Sequence, residues 1–454
     1  MHRFLIPLLA ALLPFPILAA DAKPNIVLLL SDDQAWTDYG YMGHPDIETP
    51  HLDALASRSA LFGRGYVPTG LCRPSLMTLS SGLYSHQHKT SGNDMAPALV
   101  GGKKGDPEYA KLTEQLITHV DQHPRIAALL GEAGYLSHQS GKWWEGSFKR
   151  GGFTHGMTRG YPEKGGRHGD DGLKIGREGV APVTNFIDEA VAAEKPFYIW
   201  YAPFMPHDPH TPPQALLDKY KAKVSSEHVA KYYAMIEWYD QTCGEIIDHI
   251  EKKGLTGNTL FVTISDNGWI QKPDGPGFAM RSKQSANEGG VRQPILYSWP
   301  GVIQPGDRGE QLASSIDIVP TMLAAAGVTP PAEMPGLDLM PCLRSGEPTP
   351  RDAVYGESFG HDVFDAEKPE VTLLYRWVIE GPWKLLLTYD GELGDRYADI
   401  HPRDELRPQL YQLLNDPSED HNLASAEPER VAAMAKKIAA WWPVNERKVL
   451  EKWE

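Results

Sequence analysis

The feature that most constrains the fold is a series of short, continuously apolar segments separated by segments with helical periodicity. Three of them are 25–33 (NIVLLLSDD), 195–204 (KPFYIWYAPF) and 259–268 (TLFVTISDNG), which are rich in β-branched and aromatic residues. Strands that are apolar at successive positions are buried on both faces, as they are where helices cover both faces of a parallel sheet. The sequence therefore predicts an α/β fold with a central, mostly parallel sheet and helices on both faces.

The pattern changes after about residue 350. Segment 376–391 (RWVIEGPWKLLLTYDG) predicts an antiparallel hairpin, and a closing helix is predicted from about Pro428 to Lys448. Segment 93–123 is polar and rich in Gly and Lys, which predicts a surface loop or lid. We expect a catalytic domain at 23–350 and a small C-terminal subdomain at 351–454 that contains an antiparallel sheet.

The first 22 residues have the pattern of a signal peptide. Arg3 lies in a basic n-region, an apolar h-region follows, and 20–22 (ADA) form a small-x-small cleavage site. A membrane anchor is the alternative, but the apolar run is short and interrupted by prolines. The pattern predicts export to the periplasm or the extracellular space, with no membrane span left after cleavage.

The charge of the chain limits its partners. The formal net charge is −15, from 44 basic and 59 acidic residues. An excess of negative charge disfavours nonspecific binding to nucleic acid. If the substrate is an anion, the basic residues that bind it must be gathered locally at the site.

The three cysteines do not form a disulfide framework, because their number is odd and their spacing wide. Cys243 occupies an apolar position of a helical repeat, which predicts a buried core residue. A Cys243–Cys342 disulfide remains open at this point. Cys72 differs from both, because it lies in the polar segment TGLCRPSLMTLSSG, where core packing does not explain it.

Two of the predicted strands end in neighbouring oxygen ligands. Asp32 and Asp33 follow the first strand, and Asp266 and Asn267 follow another. Each pair alone also fits a solvated turn, but parallel strands bring their carboxyl ends to one edge of the sheet. Four oxygen ligands there predict a site for a hard cation, Ca²⁺ or Mg²⁺.

The segment around Cys72 resembles the signature of the sulfatase family, in the alkaline phosphatase superfamily. Cys72-Arg73-Pro74-Ser75, with Gly82 downstream, is similar to the family pattern Cys-x-Pro-Ser-Arg, and the resemblance extends over nearly the whole chain after residue 22. It implies an alkaline phosphatase-like fold. It also implies that a formylglycine-generating enzyme oxidises the cysteine to formylglycine, whose hydrate attacks sulfur with one hydroxyl and expels sulfate with the other.

The resemblance also assigns roles to other residues. It implies that Lys142 (in SGKWW) and Lys283 (in KQSANEGG) bind sulfate oxygens, and that His207 (in APFMPHDP) lies near the leaving group. The implied metal ligands are Asp32, Asp33, Asp266, Asn267 and residue 72. The implied activity is hydrolysis of a sulfuric ester, carried by a small aryl compound or a glycan.

The chain differs from the family pattern at two positions whose side chains are expected to surround the nucleophile. Leu76 replaces the arginine four residues after the cysteine, and Trp144 replaces the histidine of GKWHxG. Arg73 is close enough in sequence to supply the missing positive charge, and it is a candidate catalytic residue. Four histidines are candidates for the missing imidazole: His86, His88, His138 and His210.

Two other functions remain open from the sequence. One is hydrolysis of a phosphate or phosphonate ester on the same scaffold, and the other is binding of a sulfated glycan by a non-catalytic protein that retains the metal. Several aromatic residues near the site motifs could stack on a sugar or pack in the core, and core packing is favoured for Trp143. They are Trp143, Trp144, Trp269 and Tyr161.

Overall fold

The computed structural model describes residues 23–101, 105–389, 407–444 and 448–450. Its central element is an eight-stranded sheet with the strand order β10-β2-β9-β8-β1-β7-β5-β6. The strands are β1 (Asn25–Ser31), β2 (Ala60–Phe62), β5 (Leu136–Gly141), β6 (His155–Gly156), β7 (Phe197–Ala202), β8 (Thr259–Ser265), β9 (Ile295–Ser298) and β10 (Gly306–Asp307).

The sheet is mostly parallel, as the sequence predicts. Strand β1 lies at its centre, parallel to β7 on one side and to β8 on the other. Strand β9 runs antiparallel to both β8 and β2. The apolar pattern of β9 shows its burial but carries no information about its direction.

Helices cover both faces because successive side chains of each strand point to opposite faces. Ile26, Leu28 and Leu30 of β1 face one apolar cluster, and Val27 and Leu29 face the other. The first cluster includes residues of α2 (Cys72–Ser81), α6 (Ile126–Glu132) and α11 (Ile318–Ala325), and the second includes residues of α7 (Ala181–Ala192) and α9 (Glu227–Lys252).

A second, antiparallel sheet follows the first in the chain. It contains β12 (Ala353–Phe359), β14 (Leu373–Glu380), β15 (Trp383–Tyr389), β16 (Gln409–Gln412) and β17 (Val449–Leu450). The predicted hairpin corresponds to β14 and β15. One face of this sheet joins the main core through Trp377 and Leu386, and the other packs against α13 (Pro428–Trp441). That closing helix ends at Trp441, before the predicted end near Lys448.

The described residues of segment 93–123 are mainly helical, so the prediction of a surface loop is wrong. It contains β4 (Asp94–Met95), α4 (Pro107–Ile117) and α5 (His119–Gln122). Asp106 caps α4 by accepting a hydrogen bond from the backbone NH of Glu108, and proline occupies the first helical position. The buried residues Leu116 and Ile117 anchor the helix.

The remaining elements connect these layers. They are α1 (Pro50–Ala56), β3 (Arg64–Tyr66), α3 (Ser85–His88), α8 (Gln214–Lys221), α10 (Glu288–Val291), β11 (Leu312–Ser314), α12 (Met340–Ser345) and β13 (Asp362–Val363). Cys243 is buried in α9, as predicted, and all three cysteines are free, which removes the Cys243–Cys342 disulfide. Among the described residues, no helix has both the length and the apolarity needed to cross a membrane. The segment 1–22 lies outside the described residues.

Candidate active site

The predicted ligand residues lie at one edge of the central sheet. Asp32 and Asp33 directly follow β1, and Asp266 and Asn267 directly follow β8, its neighbour. Lys142 directly follows β5 on the other side of β1. Parallel pairing therefore converts residues that are far apart in sequence into one group of side chains.

A glycine allows the turn that carries Lys142. Gly141 has a φ of +86°, a conformation that side chains with a Cβ rarely adopt. A Cβ at this position would lie 1.7 Å from the backbone oxygen of Ala202 on the neighbouring strand. The strand can thus turn tightly and direct the next residue into the site.

Two ion pairs organise the carboxylates. Lys142 Nζ lies 2.7 Å from Asp32 Oδ1, and Lys283 Nζ lies 2.6 Å from Asp33 Oδ2. Asn267 Nδ2 donates to Asp33 Oδ1 at 2.7 Å, and the backbone NH of Asp33 donates to Asp266 Oδ1 at 3.1 Å. These two hydrogen bonds hold Asp33 in the left-handed region, where its φ is +66°.

The electrostatics of the three carboxylates differ. Burial raises the pKa of Asp32 to about 7 against the opposing effect of Lys142, and burial also raises the pKa of Asp266. Burial would raise the pKa of Asp33 too, but Lys283, followed by His207, holds it below its ordinary value. The negative charge of the three carboxylates is therefore not fully stabilised by the neighbouring lysine and histidine side chains.

The donor set fits a divalent cation. Three buried oxygens have no hydrogen-bond partner among the described residues: Asp32 Oδ2, Asp266 Oδ2 and Asn267 Oδ1. Buried polar atoms are normally paired, so three unpaired oxygens on adjacent strand ends indicate a missing partner of positive charge. All-oxygen ligation is typical of Ca²⁺ and Mg²⁺. The ligating atoms of Asp32, Asp33, Cys72 and His207 also lie within 4.8 Å of one another.

Cys72 lies at the centre of this group. It is the first residue of α2, and its Sγ is 3.8 Å from Asp32 Oδ1 and from Asp33 Oδ1. Burial raises the pKa of the thiol well above its ordinary value, although Lys142 and Lys283 oppose the shift. An unmodified Cys72 is therefore a thiol at neutral pH and a weak nucleophile.

His207 joins the cluster from the loop after β7. Its Nε2 lies 3.3 Å from Asp33 Oδ2 and 3.4 Å from Lys283 Nζ. Its Nδ1 lies 2.6 Å from the backbone oxygen of Asp208 and 2.9 Å from the carboxylate of the same residue. The ring is thereby held with Nε2 toward the carboxylates and lysines.

Arg73 is adjacent to the nucleophile in sequence but turns away from it. Its Nε and Nη2 each lie 2.7 Å from a Glu145 carboxylate oxygen, and its Nη1 donates to the backbone oxygen of Asn93. Both charged side chains of this bidentate pair are buried. The positive charge of Arg73 is thus already paired, which argues against its expected role as a substitute for the missing arginine. Leu76 is buried in the main apolar cluster.

A cavity of about 300 Å³ opens onto Cys72 and both lysines. None of the four histidines proposed from the sequence as substitutes lines it, because each has other neighbours. His86 binds Glu357, His88 contacts Thr78, His138 packs against Phe186, and His210 packs against Tyr232 and Trp269.

The cavity contains other polar residues that sequence reasoning missed. Asn93, Arg167, His168, Gln284 and His361 line it together with the predicted residues. The sequence analysis assigns no role to any of them. One sequence signal for His361 is the dipeptide His-Asp, which occurs only at 207–208 and 361–362 and so repeats the pattern of His207.

The aromatic residues near the site divide between core and cavity. Trp143 is buried against Phe153 and Trp200, as predicted. Trp269 lines the 300 Å³ cavity. Trp144 lines both this cavity and a neighbouring one of about 140 Å³, in which Tyr161 also lies. The ring of Trp144 lies 5.0 Å from Lys142 Nζ and therefore helps to position that ammonium group.

Comparisons with known proteins agree with this geometry. Residues 24–328 match the Sulfatase family, and 278–440 match the C-terminal region of N-sulphoglucosamine sulphohydrolase. The chain is 30% identical to N-acetylgalactosamine-6-sulfatase of Canis lupus familiaris, over 90% of this chain and 83% of the relative. It is 27% identical to arylsulfatase A of Homo sapiens, over 92% and 87%.

Solved structures support the fold. The crystal structure of Ps i-CgsB superposes with a TM-score of 0.72 at 24% identity and covers 94% of each chain. This agreement confirms the alkaline phosphatase-like architecture that the sequence predicts. With a family match over residues 24–328 and homologous sulfatases that align along most of its length, the chain belongs to the sulfatase family and is a sulfuric ester hydrolase.

Proposed function

We propose that this sulfatase hydrolyses its ester with a formylglycine at position 72 and a divalent cation, most simply Ca²⁺, with Mg²⁺ as the alternative. The observation that carries the proposal is the convergence of Cys72, three carboxylates and two lysines within one buried cluster. Cys72 is buried in the main apolar cluster, but its Sγ also lies 3.8 Å from the carboxylates of Asp32 and Asp33, a contact that packing alone does not explain. Its conversion would require a formylglycine-generating enzyme as a partner during maturation.

Each residue of the cluster has a distinct task in this proposal. Asp32, Asp33, Asp266 and Asn267 hold the cation, together with residue 72. Lys142 and Lys283 bind the peripheral oxygens of the sulfate, where negative charge concentrates in the transition state. A bound cation would add electrostatic stabilisation of the same charge.

His207 is the proposed proton donor to the leaving group. The loop after β7 places it at the cavity, and Asp208 holds its Nδ1, so that Nε2 remains directed into the site. An alkoxide leaving group needs a proton, and a histidine can supply it near neutral pH. The contact with Asp208 fixes the orientation of the ring.

For the substrate, we propose a sulfated carbohydrate. The first relative is named for N-acetylgalactosamine 6-sulfate. The buried ring of Trp269 and the neighbouring Phe278 line the cavity beside Lys283 and offer apolar surface to a sugar face. A sulfated aryl compound would fit the same catalytic cluster and is a convenient probe of the chemistry.

Phosphate or phosphonate ester hydrolysis is the second candidate function. The lysines and the cation site would suit those anions as well, but the raised pKa of Cys72 leaves little thiolate for a direct attack. Parallel assays with aryl sulfate and aryl phosphate, on protein of measured metal content, separate the candidates. We expect faster turnover of the sulfate ester; phosphate turnover alone would reject the proposal. Metal retained without turnover of either ester would indicate the non-catalytic binding protein.

We also propose that the protein is exported, on the basis of the n-region, h-region and cleavage-site pattern in residues 1–22. Cleavage is expected after that segment. N-terminal sequencing of the protein from a secreting host would test it, and an intact N-terminus on membrane-bound protein would contradict it.

A further inference from the structure

Trp144 supplies no basic side chain at the nucleophile, where the sulfatase pattern has a histidine. An indole has no basic nitrogen, so this residue cannot accept a proton. The proposed function requires one group to protonate the leaving group and another to take a proton when sulfate is released. His207 supplies the first, and the cavity offers two further imidazoles, those of His168 and His361.

His361 comes from the C-terminal subdomain and is held firmly. Its Nδ1 lies 2.6 Å from the carboxylate of Asp362, and its backbone oxygen accepts a hydrogen bond from the NH of Asn93. A carboxylate on Nδ1 keeps the proton on that nitrogen and leaves Nε2 as the acceptor nitrogen of the ring. The ring is 19% exposed, so it is reachable from the cavity.

Asn93 connects this imidazole to the nucleophile. Its Oδ1 accepts a hydrogen bond from the backbone NH of Arg73, the residue after Cys72, at 3.1 Å. Its Nδ2 lies 3.4 Å from His361 Nε2. One side chain thus spans from the first turn of α2 to Nε2 of His361.

His168 is the rival, and its environment is unfavourable for a base. Its ring packs against Trp144 and Phe204, and its Nδ1 is buried without a partner among the described residues. Burial, followed by Lys142 and Arg167, lowers its pKa to about 3. His168 therefore resists protonation throughout the neutral range.

The charges that face His361 include both signs. Asp362 is the next residue and begins β13, and Asp94 lies opposite Asp362 on the paired strand β4. Arg167 forms a bidentate ion pair with Asp94, and Arg73 binds the backbone of Asn93. The other ionisable groups that line the cavity are Cys72, Lys142, His168, His207, Asp208 and Lys283.

We infer that His361 is the base that releases sulfate, which rests on the proposed function. Its Nε2 takes the proton from the hydroxyl of residue 72 that does not carry sulfate. The electrons of that O–H bond form the aldehyde carbonyl, the carbon–oxygen bond to sulfate breaks, and sulfate leaves with that electron pair. His361 then returns the proton to solvent, and water adds to the aldehyde to restore the hydrate.

The test compares the wild type with His361→Gln, His168→Gln and His421→Gln, a control on an exposed histidine of the same subdomain. Each protein is mixed with an aryl sulfate, quenched and digested, and the mass of the peptide containing residue 72 is measured. In His361→Gln we expect a peptide that carries sulfate, one rapid equivalent of aryl alcohol, and turnover reduced about 10²–10⁴-fold. Imidazole added to His361→Ala should restore turnover, which a structural role would not allow.

Accumulation of the sulfated peptide in His168→Gln instead would overturn the inference. So would wild-type turnover in His361→Gln, or reduced turnover without accumulation and without rescue by imidazole. Failure of the proposed function would be visible in the wild type, which would then release no sulfate, whereas failure of the role of His361 would be visible only in the variants.

Discussion

At the scale of single residues, the site contains two lysine–carboxylate ion pairs, and each lysine must leave its carboxylate to bind an anionic substrate. Lys142 and Lys283 each hold a carboxylate in the described structure, and both are buried. In each lysine the neighbouring negative charges outweigh the effect of burial and raise the pKa. Both therefore remain ammonium groups at neutral pH, ready to bind an anion once a cation shares the carboxylates.

Replacing either lysine with alanine should weaken binding of the transition state more than binding of the ester. Because the peripheral oxygens gain charge as the ester reacts, we expect kcat/KM to fall by the equivalent of about 2–4 kcal/mol. Steady-state kinetics on an aryl sulfate would measure this loss. Lys111→Ala, at an exposed position, is the control. Unchanged kcat/KM in both site variants would exclude the assigned role.

Asp266→Ala should remove the cation and the activity together. Its Oδ2 is one of the three unpaired buried oxygens, and its Oδ1 orients the backbone of Asp33, so the variant loses a ligand and the alignment of another. Metal analysis of the purified variant beside Asp188→Ala, a surface change, checks this. Full metal occupancy in Asp266→Ala would disprove the ligand assignment.

At the scale of elements, one buried carboxylate attaches helix α1 to helix α9. Asp240 of α9 accepts hydrogen bonds from the backbone NH groups of His51 and Leu52, in the first turn of α1. Burial raises the pKa of Asp240 to about 7, although those two donors oppose the shift. The folded protein thus binds this proton more tightly than the unfolded chain does.

This shift makes stability depend on pH in a defined direction. An aspartate with a raised pKa destabilises the fold as pH rises from about 4, its unfolded value, to about 7. Asp240→Asn keeps an acceptor and cannot ionise, so its free energy of unfolding should improve relative to the wild type between pH 5 and pH 8. Urea unfolding at both pH values measures the difference. Parallel pH profiles of the two proteins would refute the prediction.

The elements themselves were predictable where burial dominates the pattern. Strands β1, β7 and β8 follow from runs of apolar residues that no exposed segment would carry, and the hairpin of β14 and β15 follows from turn chemistry. The antiparallel direction of β9 was not predictable, because direction depends on connections made in three dimensions. Helix α4 was missed because most of its residues are polar and only a few, on one face, are buried.

At the scale of the whole molecule, a buried cluster joins the C-terminal sheet to the loop that carries Lys283. Lys384 of β15 lies 3.1 Å from Glu288 Oε1 and 3.0 Å from Glu419 Oε1. The backbone NH of Glu288 donates to Glu419 Oε2, and Tyr66 donates to the other oxygen of Glu288. Glu288 begins α10, five residues after Lys283.

Lys384→Met should destabilise the protein strongly. Removing the cation leaves two buried carboxylates with less compensation, and breaking such a buried pair costs about 3–5 kcal/mol. Chemical denaturation at neutral pH would measure the loss. Lys437→Ala, which breaks an exposed pair with Glu380, should change stability little. Equal effects of the two substitutions would show that the buried cluster does not hold the subdomains together.

The site was predictable only where a motif marks it. The strand-end carboxylates and the residues of the sulfatase pattern were identified from sequence, and the described structure brings them into one cluster. Asn93 and His361 were not, because only the topology brings them to the cavity that Cys72 lines: β13, in the C-terminal part of the chain, pairs with β4 in parallel. The ion pair that argues against the expected role of Arg73 was not predictable for a related reason, since Glu145 becomes its neighbour only in the fold.

The most direct test of the account is the mass of the tryptic peptide containing residue 72, measured on the same preparation that is assayed for sulfate release. We predict formylglycine at this position in protein from a host with the modifying enzyme, and sulfatase activity in proportion to its fraction. Cys72→Ala should abolish turnover, and Cys72→Ser should strongly slow it, because serine lacks the second hydroxyl. Sustained sulfate release by protein whose residue 72 is entirely cysteine would contradict the account.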